Sequence, residues 1–75
     1  MLKIAILGSG GWGLALACTC ANLGHDVTVW SAFKDELDSI RRTGELRAKL
    51  PGVYIPKAVH LTEDISCASG KDIVL

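Results

Sequence analysis

One glycine-rich segment near the start of the chain constrains the fold more than any other feature. It follows the apolar run 4–7, which is typical of a short buried strand, and it precedes residues 14–23, which are typical of a helix. The segment itself is Gly8-Ser9-Gly10-Gly11-Trp12-Gly13, a Gly-x-Gly-x-x-Gly pattern. A strand, this pattern and a helix in that order predict the phosphate-binding turn of a dinucleotide-binding βαβ unit.

Each glycine of the pattern has its own predicted role. Gly8 permits the tight turn out of the strand, Gly10 lets the backbone approach a pyrophosphate, and Gly13 lets the helix pack close to that strand. The free amides at 11–13 are expected to point at the phosphates, whose negative charge the helix dipole favours. The alternative is a turn that only joins a strand to a helix, and the flanking elements argue against it.

The rest of the sequence continues the alternation of strands and helices. Strands are expected at 3–7, 27–30, 59–61 and 73–75, and helices at 12–23, 34–42 and 63–69. The first helix is expected to be buried on most sides and to end at a left-handed cap on Gly24, and Thr62 is expected to cap the last helix. The order βαβαβαβ predicts an α/β fold with a Rossmann-type parallel sheet and a central first strand.

The end of the chain also bears on its domain organisation. Residues 73–75 read as a strand that is cut off as it begins. Residues 1–75 are therefore interpreted as the N-terminal part of a dinucleotide-binding domain, and a catalytic or substrate domain is expected to lie outside this chain.

Cofactor choice depends on the residues after the second strand. A fold that selects NAD normally carries Asp or Glu there to bind the ribose 2′-hydroxyl, and this chain has Ser31. The acids Asp35 and Glu36 fall in the first turn of the next helix, where the helix dipole explains them. Ser31 could donate a hydrogen bond to a 2′-phosphate. The sequence therefore favours NADP, or the use of both cofactors, at least as much as the use of NAD alone. Phe33 either lies against the adenine or packs on the sheet, and both interpretations stay open.

Charge and composition exclude several classes of function. The eight basic and eight acidic residues cancel and are interleaved, which disfavours a nucleic-acid partner. The longest apolar stretch, 13–21, is shorter than the ~20 residues needed to span a bilayer, and the start has no cleavable signal, so a cytoplasmic protein is expected. Because 49% of so short a chain is hydrophobic, we expect self-association of this piece.

The three cysteines fit reduced thiols rather than a disulfide or a metal site. Cys18 and Cys20 lie two residues apart on the first predicted helix, so they face different directions. Core packing is the better interpretation of both, and no metal site is predicted.

Taken together, these segments resemble the N-terminal part of the bacterial NAD(P)-dependent glycerol-3-phosphate dehydrogenases. The start 3–13 is similar to the start of that family, including Trp12 before the third glycine of the pattern. Residues 24–30, Gly-His-Asp-Val-Thr-Val-Trp, are similar to its second strand. Leu-Pro-Gly-Val at 50–53 and Ile-Pro at 55–56 are similar to the loop before its third strand.

The resemblance implies a cofactor site and a reaction. The cofactor contacts would come from Gly8, Ser9, Gly10, Gly11, Trp12 and Gly13, together with residues just after Trp30 that include Ser31 and Phe33. The reaction would be hydride transfer between NAD(P)H and dihydroxyacetone phosphate, which gives glycerol 3-phosphate for phospholipid synthesis. The catalytic lysine and the glycerol phosphate site of the family lie in its later domain, beyond Leu75.

The chain departs from the family at three cofactor positions. Gly11 stands where many members have serine, and Ala32 and Phe33 stand where many have basic or histidine side chains. Two other functions remain open. A reductase such as ketopantoate reductase would share the glycine turn but not Trp12 together with the loop 50–53, and a non-enzymatic nucleotide-sensing module would use the turn without any chemistry.

Overall fold

The computed structural model describes residues 1–46 and 52–75. The described part confirms the expected alternation of strands and helices. Its elements are β1 (Lys3–Leu7), α1 (Gly11–Asn22), β2 (Asp26–Trp30), α2 (Lys34–Thr43), β3 (His60–Thr62), a 3-10 helix (Ile65–Ala68) and β4 (Ile73–Val74). The predicted loop at 50–53 lies partly outside the described residues.

The four strands form one parallel sheet in the order β3-β2-β1-β4, so β1 is central as predicted. β1 and β2 are in level register, which means that they pair residue for residue along their whole length, with Lys3 opposite Asp26 at one end and Leu7 opposite Trp30 at the other. The chain winds outward from β1 to β3 and then returns to the other side of β1. That reversal of strand order creates the crevice at the carboxyl edge where ligands of such folds bind.

The hydrophobic core lies between the sheet and the two α-helices. Alternate residues of β1 and β2 point to this side because successive side chains of a strand face opposite ways. The buried residues of the core cluster are Ile4, Ile6, Leu14, Ala17, Val27, Val29, Ile40, Leu46, Ile55 and Val59. Burial of these aliphatic side chains, at about 25 cal/mol per Å² of apolar surface, is the main force that holds α1 and α2 on the sheet.

Burial varies around helix α1. Leu14 and Ala17 are its fully buried residues, whereas Trp12 is 80% exposed. Only Trp12, Thr19 and Asn22 of α1 are exposed, so most of its surface is at least partly covered, as expected, and full burial is confined to the stripe that contacts the strands.

Cys18 and Cys20 are partly buried free thiols packed against the core, as predicted. Burial raises the pKa of the Cys18 thiol and outweighs the lowering by its backbone hydrogen bond, so this thiol is protonated at neutral pH.

The last predicted helix is a single 3-10 turn, and its cap is Asp64 rather than Thr62. Asp64 Oδ1 accepts a hydrogen bond from the Ser66 amide at 2.9 Å, while Thr62 Oγ1 accepts one from the Asp64 amide at 3.0 Å. Thr62 is the last residue of β3 and pairs with Trp30, so strand pairing fixes its backbone before the turn begins. The indole of Trp30 donates to the Glu63 carbonyl at 2.7 Å and attaches this turn to the sheet.

The expected glycine cap at Gly24 is present, and α2 ends at a glycine cap as well. Gly24 follows α1 with φ 89° and Gly44 follows α2 with φ 82°, in the left-handed region that glycine adopts without steric cost.

No helix within 1–46 and 52–75 is long and apolar enough to cross a membrane.

Candidate functional site

The glycine turn lies at the carboxyl edge of the sheet, between the end of β1 and the start of α1. Gly8 has φ 124°, and its amide donates to the Trp30 carbonyl at 2.7 Å. Gly10 is the N-cap of α1, and its carbonyl accepts the first helical hydrogen bond, from the Leu14 amide at 2.9 Å. The chain thus leaves the strand, turns at Gly8 and enters the helix within three residues, as the motif predicts.

Gly13 sits where the helix comes closest to the strand. A Cβ at this position would lie 3.0 Å from the Gly8 carbonyl oxygen and 3.2 Å from Ile6 Cγ2. Both distances are shorter than ordinary contacts, so a side chain here would force the helix and the strand slightly apart, and glycine permits the closer approach. The structural role expected of Gly13 is therefore confirmed.

Gly10 has the opposite environment. A Cβ built on Gly10 would meet no atom of the described chain within 4 Å, because it would project into open space above the turn. Two clefts share this space, one bordered by Trp12 and Leu75 and the other by Ser31 and Phe33. The missing side chain at Gly10 thus leaves a cradle that runs across the carboxyl ends of β1 and β2.

The start of α1 favours an anion in that cradle. The amides of the first helical turn have no acceptor inside the helix, and the positive end of the helix dipole lies there. Helix α1, which is described along its whole length, has no acidic residue in its first turn to oppose a bound anion. The open space over Gly10 and these amides fit a pyrophosphate group.

A chain of hydrogen bonds joins the glycine turn to the end of β2 and the start of α2. The Ser9 hydroxyl lies 2.5 Å from Glu36 Oε1 and 3.0 Å from Ser31 Oγ, and Ser31 Oγ accepts a hydrogen bond from the Phe33 amide at 3.0 Å. Ser9 has one hydroxyl proton and an ionised carboxylate can only accept, so the Ser9 proton goes to Glu36 and the Ser31 hydroxyl supplies the proton between the two serines. Ser31 is 1% exposed.

These contacts alter the role that sequence reasoning gave to Ser31. Its hydroxyl is buried and engaged with Ser9 and Phe33, so the geometry favours a structural role at the end of β2. Binding of the ribose by Ser31 stays a prediction, as do the cofactor contacts assigned to Gly8, Ser9, Gly10, Gly11, Trp12, Gly13 and Phe33.

Phe33 is 68% exposed and lies outside the buried stripe of α2 that Leu37 and Ile40 form. Its backbone is extended, with φ −102° and ψ 94°, because it is the N-cap and not part of the helix. Of the two interpretations open for Phe33, packing on the sheet is not what the structure shows. The exposed ring borders the cleft above Gly8 and Gly10.

Glu36 is the site residue that sequence reasoning missed. Its position in the first turn of α2 was fully explained by the helix dipole, and Asp35 beside it had the same explanation. The sequence did contain a signal for an inward-facing Glu36, because this residue lies four positions before Ile40. Residues four apart lie on one face of a helix, so Glu36 shares the inward side with buried Ile40 and Asp35 does not. Among residues 1–46 and 52–75, no group of three His, Cys, Asp or Glu residues is placed to hold a metal ion.

Comparison with known proteins agrees with this geometry. A family model described as the NAD-dependent glycerol-3-phosphate dehydrogenase N-terminus matches residues 3–75. A glycerol-3-phosphate dehydrogenase (NAD(P)+) 2 of Lactobacillus delbrueckii subsp. bulgaricus is 47% identical over 76 residues, covering 100% of this chain and 22% of its own length. The corresponding enzyme of Fusobacterium nucleatum is 37% identical, covering 100% of this chain and 23% of its own.

The fold has a solved counterpart as well. A crystal structure of glycerol-3-phosphate dehydrogenase from Coxiella burnetii matches with a TM-score of 0.77 and 35% identity, covering 87% of this chain and 20% of that one. The chain spans about a fifth of the length of the curated relatives that it matches.

Proposed function

The chain belongs to the NAD-dependent glycerol-3-phosphate dehydrogenase N-terminus family, and from that premise we propose that it binds NAD or NADP as the cofactor part of an oxidoreductase. The reaction would convert dihydroxyacetone phosphate, NAD(P)H and a proton into sn-glycerol 3-phosphate and NAD(P)+, a supply of glycerophospholipid precursor. The bound nicotinamide would provide the hydride. The residues of this chain would bind and orient the dinucleotide, and the domain that holds the substrate would be separate from residues 1–75.

One observation carries the proposal: the glycine turn has opposite surroundings at two of its glycines. A side chain at Gly13 would crowd β1 because the helix packs closely on that strand, whereas a side chain at Gly10 would enter space that the protein leaves open. A turn that only joined β1 to α1 would need the first feature and not the second. The second supports the approach of a ligand to the backbone, next to amides that suit phosphate.

The substitution Gly10→Ala tests this proposal. The added Cβ would occupy the space over the turn without touching the protein, so the fold should persist while dinucleotide affinity falls by about tenfold or more, which is roughly 1.4 kcal/mol per tenfold. Calorimetric titration of both chains with NADH measures the change. A folded variant with unchanged affinity would place the cofactor elsewhere.

The reaction can be tested in a chimera, because the Lactobacillus delbrueckii relative aligns with the whole chain. Replacing the matching segment of that enzyme with residues 1–75 should preserve oxidation of NADH that depends on dihydroxyacetone phosphate. A chimera that carries Gly10→Ala is the matched control and should lose most of that activity. A folded chimera that binds dinucleotide without reducing dihydroxyacetone phosphate would favour a nucleotide-sensing module, and ketopantoate-dependent oxidation would favour the other reductase.

The proposal also covers where the protein is located and whether it self-associates. Three free thiols suit the reducing conditions of the cytoplasm, where we place the protein. Self-association is supported by β4, an edge strand whose residues Ile73 and Val74 are exposed and apolar, and by exposed Leu75 next to it. Light scattering at increasing concentration should show a rise in mean mass, and a constant monomer mass would overturn this part.

A further inference from the structure

The contacts of Glu36 bear on cofactor choice. Its Oε1 accepts from the Ser9 hydroxyl at 2.5 Å, which holds the carboxylate against the glycine turn rather than in solvent beyond the helix. The side chain is partly exposed and borders the same cleft as Gly8, Gly10 and Ser31. With Oε1 engaged, Oε2 makes no hydrogen bond within the described part of the chain and remains available to a ligand hydroxyl.

We propose that Glu36 determines cofactor specificity in this chain: its carboxylate accepts a hydrogen bond from the adenosine 2′-hydroxyl of NAD and repels the 2′-phosphate of NADP. The inference rests on the proposed dinucleotide site. It assigns to α2 the acidic group that such folds normally carry at the end of β2.

Position and charge both support this assignment. The ribose of a dinucleotide in this fold lies beside the end of β2, with the pyrophosphate at the glycine turn. Glu36 is hydrogen-bonded to Ser9 of the glycine turn and borders the same cleft as Trp30 and Ser31 at the end of β2. A 2′-phosphate there would bring like charges within a few ångströms of each other in a cleft that only partly excludes water. The hydroxyl of NAD is instead a donor, which a carboxylate accepts well.

The neighbouring charges do not reverse the effect. Lys34 and Asp35 are exposed and line a neighbouring cleft that shares Phe33 and Glu36 with the first one, so they add one positive and one negative charge beside it. Ser31, the donor expected from the sequence to serve a 2′-phosphate, is buried and already hydrogen-bonded to Ser9. The first turn of α2 therefore presents two carboxylates and one ammonium group to a bound adenosine.

The test is the ratio of dissociation constants for NADPH and NADH, measured by calorimetry with the 75-residue chain. We expect NADH to bind at least about tenfold more tightly, and Glu36→Gln to reduce the ratio by about tenfold, the effect of one hydrogen bond to a charged group. Glutamine keeps an oxygen that accepts from Ser9, so the turn retains its hydrogen bond. Asp35→Asn is the matched control, since it removes the same charge one residue away, and it should change the ratio less than threefold, on the scale of an exposed charge.

Titration with 5′-AMP and 2′,5′-ADP separates this inference from the function on which it rests. If 2′,5′-ADP binds more weakly than 5′-AMP, and Glu36→Gln removes that difference, the result would support the role of Glu36 at the adenosine end. Equal binding of both probes, or a ratio that Glu36→Gln leaves unchanged, would overturn the inference and leave the cofactor site intact. Failure to bind any of the four nucleotides would overturn the proposed function and the inference together.

Discussion

The loops that leave β1 and β2 lie side by side at one edge of the sheet, yet they are built in different ways. The β1 loop, residues 8–10, depends on missing side chains: Gly8 turns at φ 124° and Gly10 leaves open space. The β2 loop, residues 31–33, depends on side-chain contacts, since Ser31 is buried and hydrogen-bonded to Ser9. The first loop offers backbone amides to any phosphate, and the second presents particular side chains to the rest of the ligand.

This difference between the loops separates affinity for any dinucleotide from selectivity between NAD and NADP. A backbone cradle cannot distinguish NAD from NADP, because the two cofactors share the same pyrophosphate. Discrimination needs a charged side chain held in a fixed position, and Glu36 has that position through its hydrogen bond to Ser9. Changes in the two loops should therefore have different consequences, and the following substitutions test that expectation.

The largest effect is expected from Ser31→Asp. From the sequence alone this change should only shift preference toward NAD, but Ser31 is 1% exposed and lies against Ser9, which already holds the Glu36 carboxylate. A buried carboxylate next to that of Glu36, without a positive partner, should lower the free energy of unfolding by about 3 kcal/mol or more. Urea unfolding followed by circular dichroism measures the change, with Ser31→Asn as the uncharged control of the same size. A stable Ser31→Asp variant would show that the β2 loop tolerates a buried charge. It would then contradict the view that the β2 loop, unlike the β1 loop, depends on specific side-chain contacts.

An intermediate effect is expected from Gly13→Ala, which tests the packing that supports the β1 loop. The new Cβ would press on the Gly8 carbonyl and on Ile6, and the strand and helix must separate slightly to admit it. We expect a loss of about 1–3 kcal/mol in the free energy of unfolding, typical of overpacking. Gly10→Ala is the matched control because it adds the same methyl group to open space. Equal stability of the two variants would contradict the distinction between a packing glycine and a ligand-facing glycine.

The smallest effect is expected from Phe33→Ala. The ring is 68% exposed, so its removal should change stability by less than about 0.5 kcal/mol, the usual range for a surface substitution. If the ring stacks on the adenine, the affinities for NADH and NADPH should fall together by about 1 kcal/mol each, because both carry the same base. Fluorescence titration with each cofactor gives the two values. A change in their ratio would assign selectivity to Phe33 and weaken the role of Glu36.

Sequence reasoning was accurate where a local steric rule decides the structure. The strand 3–7, the turn at Gly8 and the left-handed cap at Gly24 each follow from residues within a few positions of one another. The close approach at Gly13 is equally local, because it joins one strand to the helix that immediately follows it. Such features depend on backbone conformation and not on the rest of the fold.

It was less accurate where distant residues meet. The contact between Ser9 and Glu36 spans 27 positions and depends on strand register and on the rotation of α2 about its axis. Burial of Leu37 and Ile40 sets that rotation, and only then does one of two adjacent acids face the turn. The cap at Thr62 was wrong for a related reason, since pairing with Trp30 decides where β3 ends.

The level register of β1 and β2 also determines where the chain can change in length. Deleting one residue inside β2 would shift its carboxyl end by about 3.3 Å relative to β1 and turn every later side chain to the opposite face of the sheet. Ser31 would then lose Ser9, and Gly8 would lose the Trp30 carbonyl. Insertions between Asn22 and Asp26, at the far edge, would leave both carboxyl ends level. Length variation among natural relatives should therefore accumulate at the amino edge of the sheet, while the spacing from Asp26 to Glu36 stays fixed.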